Sequence, residues 1–310
     1  MPNVKVRNYL HLHFIVFIWG FTAILGELIS IEALPLVWYR MLLASGFIYV
    51  FIYSKKISLV ISRRLFFKLF GAGVIIALHW ITFFAAIKVS NISITLAMLS
   101  TGAFFTSILE PIFYNRKVIW YEILFGVLVI IGLYIIFSVE SGYSLGIVYA
   151  LLSAFLSAVF SIINGKMAQE HNPSMISFYE LVSGTLIVTL FLLGITFFGN
   201  SVEGFTLSFF QLSTSDWLYL LLLASICTAY AFIGSVQVMR YLSPYTVMLT
   251  INMEPVYGIL LAYLIFGDAE KMNPQFYYGA MIILGTVILN GIFKNAKKRK
   301  RPSTLGDITD

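Results

Sequence analysis

Charged side chains are scarce in this sequence. Of its 310 residues, 11% are Asp, Glu, Lys or Arg and 60% are apolar, whereas a soluble globular protein carries roughly 25% charged residues. So few charges cannot cover the outside of a water-soluble domain of this length. The composition excludes a soluble protein and predicts that much of the surface faces lipid.

Cysteine is nearly absent as well. The sequence has one cysteine, Cys227, which excludes an intrachain disulfide and gives no information about the redox compartment. A glycine-rich phosphate loop and a cluster of metal-ligating residues are also missing from the sequence. We therefore expect no cofactor and no metal.

Long apolar runs are what the sequence has instead. Ten stretches approach the length of about 20 apolar residues that a helix needs to cross the hydrocarbon core, and they are continuously apolar, as in helices and not barrel strands. They cover residues 10–30, 35–54, 66–89, 91–114, 120–137, 144–167, 174–198, 216–239, 244–266 and 275–293. We predict an all-α polytopic membrane protein with ten transmembrane helices, the first of which is retained and not cleaved as a signal peptide.

Basic residues are distributed unevenly between the predicted loops. Of the 20 Lys and Arg residues, Lys88 and Lys271 fall outside, Arg40 falls within a span, and the other seventeen fall on the side of the N-terminus. Because cytoplasmic loops carry the excess of basic residues, we predict a cell-membrane protein with both termini in the cytoplasm. The basic tail, residues 294–310, is interpreted as contacting anionic lipid headgroups and not nucleic acid.

The two halves of the chain resemble each other. Residues match at a constant offset of 153 positions, namely Gly126 with Gly279, Gly132 with Gly285 and Gly102 with Pro255. With five spans in each half, the second half must enter the membrane from the opposite side. We therefore predict two inverted five-helix repeats, residues 1–140 and 141–293, which can rock around a central site and expose it to either side in turn.

Several short motifs resemble those of the EamA family of the drug/metabolite transporter superfamily, and the resemblance covers nearly the whole chain. They are Trp19-Gly20, Arg40, Glu254-Pro255, Phe266-Gly267-Asp268 and the glycine-bearing tenth span. The resemblance implies a ten-helix bundle with a central cavity that moves amino acids, nucleobase-like compounds or other small metabolites, often outward. Thr101-Gly102 stands where the family often has a proline, so we expect different helix bending in the fourth span.

Glu254 lies about ten residues into the ninth span, which is roughly 15 Å and close to the bilayer midplane. An ionisable side chain at that depth is costly and is a functional candidate. Thr246, Thr250 and Tyr257 share its helix face. We predict that Glu254 exchanges a proton or binds a substrate ammonium, while Tyr257 and Trp19 contact the apolar part of the substrate. The alternative is a buried polar residue that only ties helices together.

Other intramembrane residues are candidates for substrate contact. Together with Glu254, Tyr257 and Thr250, the predicted site residues are Trp19, Thr101, His79, Trp80, Arg40, Ser161 and Asn164. For Arg40 the alternatives are snorkelling towards headgroups or binding a substrate carboxylate. His79 and Trp80 either pack against neighbours or line the cavity, and the same choice holds for Trp19.

Three remaining predictions concern polar residues of the fourth, sixth and seventh spans. Ser161 and Asn164 belong to a stripe of small polar residues that either packs helices closely or lines the cavity. Thr101 is included because the fourth and ninth spans are expected to face each other. Glu110 and Glu180 are predicted to form ion pairs near the membrane surface, with Arg116, Lys117 and Lys166 as the available cations.

Two other classes of function compete with transport. A multispan membrane enzyme such as an acyltransferase would need a nucleophile or base with an orienting partner, which the four histidines do not supply. A channel would show rings of like charge or a repeated filter sequence, and neither is visible in the sequence. We therefore predict a secondary active transporter, and not an enzyme, for small organic metabolites such as amino acids. The direction of transport and its coupling to protons are left open.

Overall fold

The structure is a computed structural model that describes residues 4–115, 120–198 and 204–299. Most of the described residues lie in helices, and none of them lies in a strand. The predicted all-α class is therefore confirmed. Arg116, Lys117 and the end of the basic tail from residue 300 lie outside the described residues.

Fourteen α-helices are found in the described part of the chain. They are α1 Val4–Leu28, α2 Ala33–Ser54, α3 Arg63–Val89, α4 Ile92–Leu99, α5 Gly102–Phe113, α6 Trp120–Val139, α7 Ser144–Glu170, α8 Pro173–Phe198, α9 Leu207–Phe210, α10 Thr214–Ala224, α11 Ala231–Val238, α12 Pro244–Ile251, α13 Glu254–Phe266 and α14 Pro274–Arg299. A π-helical segment, Ser225–Tyr230, joins α10 to α11. Short 3₁₀ turns are found at Ser141–Tyr143 and Gly267–Glu270.

Eight segments of the described residues are long and apolar enough to cross a membrane. They are Val6–Leu28, Ala33–Ser54, Arg63–Val89, Ile92–Phe113, Ser141–Glu170, Pro173–Phe198, Thr214–Val238 and Thr246–Glu270. Each of the ten predicted stretches coincides with helical structure, because α6 and α14 cover the fifth and tenth. The chain is a multi-pass membrane protein, and the count of ten spans stays a prediction.

The fourth and ninth predicted spans are each interrupted near the middle. Ser100 and Thr101 separate α4 from α5, and Asn252 and Met253 separate α12 from α13. Pro255 takes an early position of α13, where its missing N–H costs no helical hydrogen bond. In the fourth span the Thr101 hydroxyl donates to a backbone carbonyl of the preceding turn at 2.7 Å. The missing proline therefore does not keep the fourth span straight, and both spans break at equivalent positions.

Glycines allow two helix pairs to approach closely. A Cβ atom on Gly184 of α8 would lie 2.9 Å from the carbonyl oxygen of Gly73 on α3, and one on Gly73 would lie 3.1 Å from the Gly184 nitrogen. Helices α6 and α14 meet in the same way, since a Cβ on Gly132 would lie 2.9 Å from the Gly279 carbonyl oxygen. Small residues at such contacts let membrane helices pack backbone to backbone.

Three acidic side chains join the predicted halves at the end of the bundle that holds the α1–α2 connection. Asp216 accepts from the Ser30 backbone N–H at 2.7 Å, Glu270 accepts from the Ser93 backbone N–H at 2.9 Å, and Glu140 accepts from the Asn273 amide at 3.0 Å. Each pair links residues 1–140 to residues 141–293. These contacts hold the two halves together at that end.

Candidate functional site

A cavity lies in the centre of the bundle, between α1, α2, α3, α7, the π-helical segment and the broken ninth span. Its walls are mostly apolar and aromatic. The polar residues on its surface are Thr22, Arg40, His79, Ser157, Ser161, Ser235 and Glu254. A mostly apolar pocket with a few polar groups is typical of a small-molecule binding site.

Six of the ten predicted site residues line this cavity. They are Trp19, Arg40, His79, Trp80, Ser161 and Glu254. Helices that are far apart in sequence bring them together. The other four, Thr101, Asn164, Thr250 and Tyr257, are absent from its walls.

The break in the ninth span explains why its predicted polar stripe is divided. Glu254 begins α13 and faces the cavity, while the Thr250 hydroxyl donates to the carbonyl of Thr246 at 2.9 Å. Tyr257 packs edge-on against Phe17 of α1, with the ring centroids 5.5 Å apart. The interruption separates Thr250 from Glu254, whereas Tyr257 belongs to the same helix as Glu254 and packs against α1.

Arg40 is buried in the cavity wall, with 2% of its surface exposed, so it does not snorkel to the membrane surface. Its Nε donates to the Thr228 hydroxyl at 2.7 Å, and its guanidinium carbon lies 3.9 Å from the centre of the Trp80 ring. Stacking and the hydrogen bond fix the orientation of the side chain. The Nη1 nitrogen has no hydrogen-bond partner. A buried, unsatisfied guanidinium nitrogen favours an anionic ligand.

Glu254 places an acidic group on the same cavity. Its side chain is 6% exposed, and Arg40 is close enough to attract its carboxylate, yet no direct ion pair joins the two. An acid in the first turn of a helix is favourably placed relative to the helix dipole. The cavity therefore presents one cationic and one acidic side chain with no direct ion pair between them.

Two further wall residues are held by backbone contacts. His79 Nδ1 lies 2.8 Å from the Ser153 hydroxyl and 2.9 Å from the Ser153 carbonyl oxygen. Trp19 Nε1 donates to the Cys227 carbonyl at 3.2 Å. These hydrogen bonds fix the positions of both rings. Each ring therefore packs against a neighbouring helix and also lines the cavity.

Glu180 lies far from its expected environment. It was predicted to form an ion pair near the membrane surface, but its side chain is fully buried in α8 and has no ion pair with any described residue. It lies beside Asn164 of α7. Lys166 instead donates to the Phe113 carbonyl at 2.8 Å. The ion-pair prediction is wrong for Glu180, because the close α3–α8 contact encloses this part of the helix.

The structure also shows functional candidates that sequence reasoning missed. In the π-helical segment, the Thr228 hydroxyl bonds the carbonyl of Leu223, five residues earlier, at 2.7 Å. The wider turn brings Thr228 to Arg40 and leaves the Cys227 carbonyl free for Trp19. No proline or glycine marks this segment in the sequence, so nothing in the pattern of residues signals it.

These features define a class of protein: a polytopic helical membrane protein with a buried, charged cavity for a small molecule. Among the described residues, no group of three or more His, Cys, Asp or Glu side chains is placed to hold a metal ion. The model of the EamA-like transporter family matches residues 9–138 and again 144–292. The chain belongs to the EamA-like transporter family, as its motifs predicted.

Two individual proteins are similar to this chain. An uncharacterized transporter from Archaeoglobus fulgidus is 24% identical over 159 residues, which are 51% of this chain and 53% of that protein. The matched region therefore spans about half the length of that relative. A crystal structure with 12% sequence identity has a TM-score of 0.66, covering 93% of this chain and 98% of the other. That likeness shows the overall fold alone.

Proposed function

We propose that this protein is a secondary active transporter of zwitterionic amino acids with apolar side chains. The observation that carries the proposal is the pair of ionisable side chains on one cavity that form no direct ion pair: Arg40, with its free Nη1, and Glu254. Arg40 receives the substrate carboxylate and Glu254 receives the ammonium group. A zwitterion satisfies both charges, whereas a simple anion or cation satisfies one and leaves the other desolvated.

The remaining walls favour an apolar side chain on the substrate. The Phe160 and Phe232 rings stack at 5.5 Å, and Met239 and Met248 complete the lining. Methionine and aromatic side chains bury apolar groups of variable shape. We therefore assign leucine, methionine and phenylalanine as test substrates.

Alternating access of two inverted repeats is the proposed mechanism. The family model matches twice in succession, and the fourth and ninth spans break at positions that are about 152 residues apart. Asn91 caps the start of α4 and Ser243 caps the start of α12, which is the same spacing. With both termini in the cytoplasm of the cell, the acidic contacts of Asp216, Glu270 and Glu140 close the external end.

Glu254→Gln tests the substrate contact in proteoliposomes. The variant keeps shape and hydrogen bonding but loses the charge, so uptake of radiolabelled L-leucine should lose about tenfold or more in affinity, or roughly 1.5–3 kcal/mol for a charged hydrogen bond. Affinity for the corresponding acid without the amino group should be the same in both proteins. Glu27→Gln, an exposed acid on α1, is the matched control and should transport as the unmodified protein does.

Two results would contradict this assignment. If Glu254→Gln transported L-leucine with unchanged affinity and unchanged pH dependence, Glu254 would be a packing residue. If Glu254→Gln kept full affinity but lost only gradient-driven uptake, Glu254 would carry a coupling proton in place of the substrate ammonium.

A further inference from the structure

A second polar centre lies outside the cavity, between α7 and α8. Asn164 of α7 and Glu180 of α8 are both fully buried, and neither lines the cavity. Both amide atoms of Asn164 and both carboxyl oxygens of Glu180 lack a hydrogen bond of good geometry, although the two groups lie side by side. Four buried polar atoms without satisfied hydrogen bonds are expensive and call for a physical explanation.

A single proton satisfies all four atoms. A protonated carboxyl group donates through its O–H to the amide oxygen and accepts the amide N–H on its other oxygen, which forms a complementary pair. An ionised carboxylate accepts the N–H alone and faces the amide oxygen with its own negative charge. The side chains therefore fit a bound proton.

No cation among the described residues competes for this position. Helices α2, α3, α7 and α11 pack around α8, and among the described residues no charged side chain on them interacts with Glu180. The ionisable groups of these helices are engaged or exposed elsewhere: Arg40 stacks on Trp80, His79 bonds Ser153, Lys166 bonds the Phe113 carbonyl, and Arg63, Arg64, Lys68 and Glu170 are exposed. Lys88 bonds the Ile29 carbonyl, and α11 carries no charged residue.

Ser161 is the cavity-lining residue of α7 that lies nearest to Asn164 along the chain, and its buried hydroxyl has no hydrogen-bond partner. It lies one helical turn from Asn164 on the same face of α7. On α8, the buried Ser177 hydroxyl is also unpartnered and lies one turn from Glu180. A proton that passes from the cavity to the Asn164–Glu180 pair along α7 would meet Ser161 first.

We propose that Glu180, paired with Asn164, is a proton-binding site separate from the substrate cavity, and that its protonation couples transport to the proton gradient. This proposal rests on the proposed transport function for its coupling role. In the step itself, the Glu180 carboxylate takes a proton from cavity water to become a carboxylic acid and returns it when the cavity faces the other side. Glu254 remains free to bind the substrate.

The proton is measured directly by infrared difference spectroscopy of the purified full-length protein during a pH jump. We expect the carbonyl-stretch band of a protonated carboxylic acid to disappear at alkaline pH, to be absent in Glu180→Gln and to remain in Glu254→Gln. Asn164→Leu removes the complementary amide and should shift the frequency and the titration of the band. This second variant decides the question if Glu180→Gln does not fold.

Transport supplies an independent measurement. In proteoliposomes with radiolabelled L-leucine, L-methionine and L-phenylalanine, Glu180→Gln should lose at least tenfold in pH-gradient-driven uptake. It should retain exchange of substrate for substrate, because glutamine keeps the pairing with Asn164 but cannot ionise. Glu27→Gln should behave as the unmodified protein.

The outcomes separate the two proposals. If none of the three amino acids is transported, the proposed function fails, while the infrared titration still decides the proton site. If the acid band persists in Glu180→Gln, or if no buried acid titrates, the proton site is wrong. If sodium raised the melting temperature and Glu180→Gln abolished this effect, the site would bind a metal cation and not a proton. That result would overturn the proposal.

Discussion

Glu254 and Glu180 are the same kind of residue, both buried in the membrane domain, but their surroundings differ. Glu254 begins a broken helix and faces a cavity that it shares with Arg40. Glu180 lies within a continuous helix, has Asn164 beside it, and lies one turn from the close α3–α8 contact at Gly184. A small molecule in the cavity can reach the Glu254 carboxyl group, whereas the closely packed surroundings of Glu180 favour a proton as its ligand.

The comparison shows that burial alone does not define a substrate site. An ionisable group in a membrane is expensive wherever it lies, so both residues are functional candidates. The space in front of the carboxyl group decides which ligand can reach it. In this protein the space at Glu254 is produced by the helix break, and its absence at Glu180 is produced by glycine packing.

The largest expected effect comes from removing the cation of the cavity. Arg40→Gln takes away the proposed carboxylate contact and leaves a buried charge on the substrate unpaired, so affinity for L-leucine should fall about 100-fold, or about 3 kcal/mol. Thermal-shift titration of the purified protein measures this affinity. The exposed Lys68→Gln variant is the control. If Arg40→Gln bound L-leucine with unchanged affinity, Arg40 would not contact the substrate. The proposed contrast between the surroundings of Glu254 and Glu180 would then fail.

The second prediction tests how closely helices α3 and α8 pack near Glu180. Gly184→Ala introduces a methyl group that meets the Gly73 carbonyl oxygen at 2.9 Å and also contacts Met41, so we expect a loss of about 1–3 kcal/mol of stability from overpacking. Gly194→Ala in the same helix has no atom within 4 Å of its new Cβ. It should keep or slightly raise the melting temperature in detergent, because alanine favours helix.

Equal melting temperatures for the two glycine variants would show that the α3–α8 contact is loose. In that case the space around Glu180 would be open to ligands larger than a proton. The contrast with Glu254 would then rest on Arg40 alone.

The smallest effect concerns the residue that joins the two regions. Ser161→Ala removes the hydroxyl between the cavity and Asn164, so pH-driven uptake should slow about fivefold, which corresponds to about 1 kcal/mol for one hydrogen bond. Exchange of L-leucine should not change. Ser157→Ala, which removes another cavity serine on the same helix, should slow pH-driven uptake less than Ser161→Ala does. Equal slowing in both variants would indicate general solvation of the cavity and no specific proton path.

Sequence reasoning could identify only part of the site, because the site residues come from distant parts of the chain. Trp19, Arg40, His79 and Glu254 were found because polar or aromatic groups deep in apolar stretches are conspicuous, and all four line the cavity. Thr250 and Tyr257 were grouped with Glu254 because an unbroken helix would align them. The interruption before α13 changes the alignment of Thr250 with Glu254, whereas Tyr257 lies in α13 itself and packs against Phe17 of α1. Thr228 was missed because its role depends on a π-helical segment that has no composition signal.

The sequence by itself determined that the chain is helical, lies in a membrane and belongs to a transporter family, because apolar length, charge scarcity and motif order are properties of the chain alone. Only the tertiary structure decided which buried charges share a space. Arg40 and Glu254 meet across a cavity although 214 positions separate them in the sequence, and Glu180 is enclosed by a neighbouring helix. Contact between distant side chains depends on helix breaks and backbone approach, which are set by packing and not by local composition.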